Sequence, residues 1–266
     1  MAQEKWLVDG PKTIDLENIH RLKVGLVGGH VDIVAHDEPG VRVEVREVTG
    51  RELLVQVDGD RLEIDHPQLR WDNWIDVFKN FGSRIRAEVS VLVPRELAVT
   101  LGVVSADALV AGIEGDAQLN TVSGDITADA LTGKLTVNSV SGEITVRDHA
   151  GPVGINTVSG DVIASGAIAK FDADGVSSEI MLDATGIPDA VRVNTVSGAV
   201  TARFDPDTPA SYTVQTVGGK LQLDAQSITV VKGRYTARHG VLDQRWTDVR
   251  INTVGGDVSI LHTVRA

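Results

Sequence analysis

The amino-acid sequence predicts an all-β protein: a β-solenoid of stacked coils of about 18 residues, with an antiparallel N-terminal sheet region. Three observations carry this prediction. A motif that reads Asn, Thr or Ser, Val, Ser, Gly and then an acidic residue begins at Asn120, Asn138 and Asn156, at equal intervals along the chain. Apolar and polar residues alternate around the motif, as they do in half-buried strands. Helical periodicity is confined to one short aromatic segment.

The motif recurs outside these three copies. Further copies, some of them less exact, begin at Gly102, Asp174, Asn194, Gln215 and Asn252. The interval between copies becomes irregular after Asp174. Gly25 to Asp32 reads as a degenerate early copy. We expect the last copy, in residues 251–261, to close the stack.

One repeat predicts two short strands that meet at a bend. Leu135 and Val137 alternate with polar neighbours and share one strand face. The next apolar residue, Val140, comes three positions later, so we expect the alternation to slip at residues 138–139 and Val140 to face inward. Strands of successive coils would then pair about 4.8 Å apart and bury a continuous aliphatic stack.

The asparagines of the motif are predicted to be structural. At a bend, a side-chain amide can bond to the backbone or stack on the amide of the next coil. The predicted ladder residues are Asn120, Asn138, Asn156, Asn194 and Asn252. The glycine that follows in each copy fits a tight bend.

No metal or cofactor site is predicted. The acidic residues of the motif should form an outward, solvated stripe, and they are Asp125, Glu143, Asp161 and Glu179. Calcium requires several converging oxygen ligands, which this pattern does not supply. His30 and His36 lie on one strand face without an evident third ligand, so we expect both to be simply exposed.

Two regions are predicted, continuous in one elongated domain. Residues 1–100 form an N-terminal β region, which includes an Asp-Gly hairpin within residues 53–65 and an aromatic insertion at about 70–82. Residues 101–266 form the β-strand-repeat solenoid. A proline-containing loop is expected after Phe204.

The aromatic insertion is the candidate site for partner binding. Trp71, Trp74, Phe78 and Phe81 are spaced as along one helical face. Such residues anchor many interfaces, so the segment is a candidate docking element. The alternative is that the segment folds back as a lid over a sheet edge.

Composition and charge exclude several functions. The chain has no cysteine, which excludes disulfides and thiolate metal sites. The net charge of −12 is concentrated in the repeats, which opposes binding of nucleic acid by that surface. The N-terminus lacks a basic and apolar signal segment, and no apolar run approaches the length of a membrane helix. We therefore expect a cytoplasmic protein without direct membrane insertion.

The repeated Asn-Thr-Val-Ser-Gly-Asp units, and the approach to them from Val93 to Asp107, resemble the bacterial putative-adhesin family, also called Toastrack. The resemblance covers most of the chain and implies an all-β repeat fold. It also implies an association with membrane-stress and cell-envelope signalling. The family has no established catalytic residues, so the resemblance implies none here.

The predicted function is a non-enzymatic β-repeat scaffold or protein-interaction module, whose partner is another protein or a second copy of the chain. The serines of the repeats recur without a nearby recurrent histidine, so the pattern does not predict a catalytic triad. Two alternatives stay open. A cleft flanked by two carboxylates would favour a carbohydrate-active solenoid enzyme. An export route would favour a surface adhesin.

Overall fold

The computed structural model describes residues 4–66, 85–228 and 233–263. These residues form 22 β-strands and no helix, which confirms the predicted all-β class. Within them, no helix has the length and apolar character needed to cross a membrane. The chain divides into two compact units, Met1–Gly133 and Lys134–Ala266. The boundary expected near residue 100 stays a prediction.

The first unit contains ten strands in the described residues. They are β1 (Glu4–Val8), β2 (Lys12–Leu16), β3 (Arg21–His36), β4 (Val41–Thr49), β5 (Leu53–Asp58), β6 (Arg61–Asp65), β7 (Arg86–Pro94), β8 (Ala98–Ala111), β9 (Ala117–Thr121) and β10 (Ile126–Asp129). The predicted hairpin is confirmed: β5 and β6 pair antiparallel around a tight turn at Gly59 and Asp60.

The N-terminal sheet region, predicted to be antiparallel, contains both antiparallel and parallel pairs. Strands β1, β2 and β4 make antiparallel pairs, but β3 runs parallel to β6, β7 and β8. The reason is that β3 carries a copy of the repeat. Gly25 lies opposite Gly102 and Gly29 opposite Ala106, so the degenerate early copy is confirmed by its register.

The second unit contains twelve strands in the described residues. They are β11 (Leu135–Ser141), β12 (Ile144–Ser159), β13 (Val162–Ser177), β14 (Ile180–Ala184), β15 (Ala190–Thr195), β16 (Val200–Phe204), β17 (Ala210–Thr216), β18 (Leu221–Leu223), β19 (Gln226–Ile228), β20 (Gly233–His239), β21 (Thr247–Thr253) and β22 (Val258–His262). The predicted loop after Phe204 is confirmed by the gap between β16 and β17.

Parallel pairing in the second unit follows the sequence period. Asn138 of β11 lies opposite Asn156 of β12, and Asn156 lies opposite Asp174 of β13, so each pair joins the first residues of two successive motifs. Equivalent side chains therefore stack on one another, and the inward ones form the core. Val137 and Ile155 are at most 2% exposed. Full burial of one such side chain stabilises the fold by about 1.5–3 kcal/mol.

The last motif does not close the stack, contrary to prediction. Strand β21 pairs parallel with β15 on one side and with β17 on the other. In the same way, β22 lies between β16 and β18. The intervening β19 and β20 pair antiparallel with β18 and β17. This antiparallel excursion occupies the far side of β17 and β18, so the final copy inserts between earlier ones.

Candidate functional site

The aromatic residues predicted to bind a partner lie outside the described residues. Trp71, Trp74, Phe78 and Phe81 fall within residues 67–84. Their role, as a lid or as a docking element, stays a prediction. A different surface is described in full: the outward face of the repeat strands in the second unit.

Where the second residue of the motif is a threonine, its side chain points into the core and fixes the following turn. Thr195 and Thr253 are 4% and 5% exposed. The Thr195 hydroxyl donates to the carbonyl of Ser197 over 3.0 Å. The hydroxyl of Thr253 accepts from the N–H of Gly256 over 3.0 Å. Such bonds satisfy hydroxyl groups that would otherwise be buried without a partner.

The predicted slip of the alternation at residues 138–139 is wrong. Asn138 and Ser139 continue the strand, Ser139 faces inward, and Val140 is 40% exposed. The chain bends later, at the glycine of the motif. Gly160 has φ +105°, and a Cβ there would overlap the carbonyl oxygen of Gly142. Since glycine alone adopts this conformation without strain, the bend lies at the glycine and not at the asparagine.

Because the bend lies there, the polar first residues of the motifs stand in a straight row across the strands. We name this the amide row, and it consists of Asn138, Asn156, Asp174, Asn194, Asn252 and Gln215, in spatial order.

Hydrogen bonds link neighbours along the amide row. Asn156 Nδ2 donates to Asn138 Oδ1 over 2.9 Å. Asn194 Nδ2 donates to Asp174 Oδ1, and Asn252 Nδ2 donates to Asn194 Oδ1, each over 2.7 Å. The predicted ladder residues of this unit thus lie together, on strands and largely exposed. That they serve stability stays a prediction.

The remaining predicted ladder residue, Asn120, lies in β9 of the first unit. Its side chain is half-buried, and its Nδ2 donates to the carbonyl of Leu101 over 3.0 Å. This hydrogen bond links the side chain to the backbone of the neighbouring strand β8.

A row of exposed valines runs beside the amide row, two residues further along the chain in each copy, within the strand or directly after its end. We name it the valine row, and its members in spatial order are Val140, Val158, Val176, Val196, Val254 and Val217. Their exposures range from 40% to 65%. With strands about 4.8 Å apart, six of them make an apolar stripe about 24 Å long.

The two rows line a groove of about 790 Å³ in the second unit. Val196, Val217 and Val254 form its apolar wall. Asp174 of β13 and Arg234 of β20 both line it, four strands apart in register. A shallower groove of about 300 Å³ continues past Asp174.

The acidic residues of the motif lie exposed, away from this groove. They are Asp125 in the first unit and Glu143, Asp161 and Glu179 in the second. The backbone carbonyls of Asp161 and Glu179 accept ladder hydrogen bonds from Ile144 and Val162. These residues are outward, as expected; that they bind no calcium stays a prediction.

Comparison with known families identifies the chain. The model of the Toastrack DUF4097 family matches residues 19–261, so the chain belongs to this family, which confirms the resemblance in the motifs. The search of curated proteins gives no significant match.

Three solved structures show a distant likeness to the chain. A "putative adhesin" from Bacteroides fragilis is 8% identical with a TM-score of 0.44, covering 94% of this chain and 97% of its own. One from Parabacteroides merdae is 9% identical with a TM-score of 0.41, covering 98% and 96%. A "putative lipid binding protein" from Parabacteroides distasonis is 12% identical with a TM-score of 0.33, covering 96% and 97%. These likenesses are too distant to assign a function.

The valine row corresponds to a repeated valine in the sequence, which was wrongly predicted to face inward. Every copy in the second unit has Val at the third motif position. An apolar residue in strict repeat is normally assigned to the core, and here the buried threonine takes that place instead. The sequence did not indicate that Arg234 lines the groove, because its position depends on the antiparallel pairing of β20 with β17.

Proposed function

We propose that this chain is a non-enzymatic β-repeat scaffold that binds another protein through the valine row and the amide row. The observation that carries the proposal is the valine row itself. Six aliphatic side chains stand in register on an exposed face. Contiguous apolar stripes on a protein surface mark sites of interaction.

The chemistry of the groove favours an extended polypeptide as its occupant. Aliphatic side chains of a partner would pack on Val196, Val217 and Val254, while the amide row offers donors and acceptors beside them. Asp174 and Arg234 are four strand spacings apart, about 19 Å. An extended chain covers this distance with about six residues. We expect an aliphatic segment of that length with a basic residue facing Asp174 and an acidic residue facing Arg234.

The residues that line the groove support the non-enzymatic part of this proposal. Glycosidases use two carboxyl groups about 5–10 Å apart. Among the described residues that line this groove, Asp174 is the single carboxylate. The other lining groups are amides, hydroxyls, valines, glycines and Arg234.

The proposal includes the architecture, which is a β-solenoid of stacked coils of about 18 residues. The constant offset between β11, β12 and β13 supports it, since each pairing joins equivalent motif positions. The offset grows slightly between β13 and β15, where residues 184–189 lengthen the connection and Asp174 lies opposite Asn194. A stiff stack of this kind suits a scaffold because each side chain of a row is held by the coils on both sides.

We further propose that the protein acts in the cytoplasm, in cell-envelope or membrane-stress signalling. Membership of the Toastrack family supports the signalling role, because this role is what the resemblance implies. Fractionation of the native host, with immunoblotting of cytoplasmic, membrane and external fractions, tests the compartment directly.

The docking surface is tested by replacing two central valines with threonine, which keeps their shape. The variant Val196→Thr with Val254→Thr should lose partner capture from host lysate, measured by quantitative mass spectrometry against the wild type. Sedimentation velocity on the same samples reports whether the occupant is a second copy of the chain. The free energy of unfolding should change by about 0.5 kcal/mol or less, as for surface substitutions.

The matched control is Val241→Thr, because Val241 is 73% exposed in the same unit but belongs to neither row. It should capture the same partners as the wild type. Equal capture by the double variant and the wild type, with unchanged sedimentation, would contradict the proposal. Loss of capture in the control as well would show that the effect is not specific to the valine row.

A further inference from the structure

A cluster of polar side chains lies in the second unit where the antiparallel excursion meets the last strand. Asp224 stands in the tight turn between β18 and β19. His239 ends β20, and His262 ends β22. The backbone holds the turn in place, because Asp224 N–H donates to the carbonyl of Ile260 over 2.9 Å.

The ligand atoms of these residues converge. His262 Nδ1 lies 3.2 Å from both carboxylate oxygens of Asp224. His239 Nδ1 lies 3.8 Å from Asp224 Oδ2. One ligand atom from each of the three residues can be chosen so that all lie within 4.8 Å of one another, which no other group of three such residues achieves in the described ranges.

The outer nitrogen of each ring is held by an oxygen. His239 Nε2 lies 3.1 Å from the carbonyl of Pro206, which can only accept a hydrogen bond. This ring therefore carries its proton on Nε2, and in the neutral form its Nδ1 presents a lone pair toward Asp224. His262 Nε2 lies 2.9 Å from the Tyr212 hydroxyl, which can donate or accept. Histidines that bind metals have their second nitrogen fixed in this way.

We propose that Asp224, His239 and His262 form a binding site for a divalent transition ion of the zinc class. Imidazole and carboxylate groups suit such ions. Ligand distances of about 2.0–2.2 Å place neighbouring ligand atoms of a tetrahedral site about 3.3–3.6 Å apart. The observed 3.2 and 3.8 Å bracket that spacing. Three protein ligands leave the fourth position to water.

Binding requires one local movement. The rings of His239 and His262 are stacked, with centroids 3.7 Å apart and 2° between their planes. Because each lone pair lies in its ring plane, one ring must tilt for both to reach the same ion. His239 can do so, since its side chain is 33% exposed, while that of His262 is 3% exposed. Asp224 is 41% exposed and gives the ion access from solvent.

The site lies where three elements of the second unit meet. A bound ion would tie the β18 turn and the ends of β20 and β22 to one another.

Zinc titration of the full-length protein, stripped with a chelator and followed by calorimetry, tests the site. We expect one ion per chain. Asp224→Asn and His239→Gln should each weaken binding at least about 10-fold through loss of a ligand. Tyr212→Phe removes an outer partner and should weaken it about 10-fold, at the low end for such groups. Asn tolerates the positive φ of Asp224 (49°), so this variant should keep its fold.

His30→Gln is the control for weak surface binding, because His30 pairs with Asp32 over 2.9 Å on the exposed face of β3 in the first unit. It should bind zinc like the wild type. Cobalt, in place of zinc, should give the visible absorption of a four-coordinate ion in the wild type and lose it in His239→Gln. Absence of bound zinc, equal affinity in the wild type and in His239→Gln, or a loss confined to His30→Gln would overturn the assignment.

Discussion

Strands β11 to β13 and the segment from β17 to β22 belong to the same unit but arrange their side chains differently. Where the motif period holds, each residue meets its own equivalent on the next strand, as Asn138 meets Asn156. Where the period breaks, unlike residues meet, and Gln215 lies beside Arg234. The same segment brings Asp224, His239 and His262 together. In the regular strands, each side chain lies beside its equivalent on the next strand. Side chains of different chemistry come together in the segment where the period is interrupted.

The largest effect is expected from a substitution at a bend between the regularly spaced strands β11 to β13. Gly160→Ala should destabilise the protein by about 4 kcal/mol or more, since its Cβ would overlap the backbone of Gly142 in addition to the strain of φ +105°. Gly154→Ala, within the neighbouring part of β12, is the control. Its Cβ would meet nothing within 4 Å, and we expect a change of about 0.5 kcal/mol or less.

Gly233→Ala extends this test to the excursion. Gly233 has φ +104°, but nothing lies within 4 Å of the added Cβ. The backbone strain alone should cost about 1 kcal/mol. Urea unfolding of the three variants measures all these values. Equal losses for Gly160→Ala and Gly233→Ala would show that close stacking adds nothing to the strain.

The second prediction concerns a buried carboxyl group in the first unit, at the end of β6. Burial raises the pKa of Asp65 to about 7, against the opposing effect of Lys23. A raised pKa means that the folded state favours the protonated acid, so this contribution is largest below about pH 4 and is lost as the pH rises to about 7. Asp65→Asn should therefore exceed the wild type by a few kcal/mol at pH 8 and match it near pH 3.5.

The neighbouring His66 should behave in the opposite sense. Burial lowers its pKa to about 4, so stability is lost as the pH falls from about 6.5 to 4. His66→Gln should reduce this acid sensitivity. Denaturant unfolding between pH 3.5 and 8 measures both variants. Because the two titrations act in opposite directions, a flat wild-type profile is compatible with both. A difference between Asp65→Asn and the wild type that does not change with pH, or a His66→Gln difference that does not, would contradict the predicted titrations.

The third prediction compares two positions of the amide row. Asn156→Ala removes the hydrogen bond to Asn138 and should cost about 1 kcal/mol. Gln215→Ala is the control, since its exposed side chain makes no hydrogen bond within the described residues. Thr145 alternates with Ile144 and Val146, which predicts an outward side chain, but it is only 7% exposed and cannot serve as this control. Equal unfolding midpoints for the two variants would exclude a stabilising role for the amide row.

The smallest effect is expected from the acidic residues of the regular part. Replacing Glu143, Asp161 and Glu179 together with their amides should change stability by about 0.5 kcal/mol or less, because all three are exposed. Calorimetry of the wild type should detect no micromolar calcium binding. Calcium binding that disappears in the triple variant would refute this expectation.

The sequence could predict whatever depends on the period. The all-β class, the register of the motifs and the common row of the asparagines follow from like residues at a constant spacing. The direction of single side chains did not follow, because a threonine whose hydroxyl bonds to the turn is buried as readily as a valine. The insertion of β21 and the cluster around Asp224 were also hidden. They depend on pairs such as Asn194 with Asn252, which lie far apart in the sequence and off the regular period.

That insertion has a consequence for the order of folding. Strand β15 can pair with β13, and β17 with β20, while the C-terminal residues are still inside the ribosome. The space between β15 and β17 is filled only when residues 247–253 arrive. Non-local pairs of this kind form late and slowly. Strands β21 and β22 therefore join two assembled pieces, and a chain stopped before residue 247 would leave the edges of β15, β16, β17 and β18 open to aggregation.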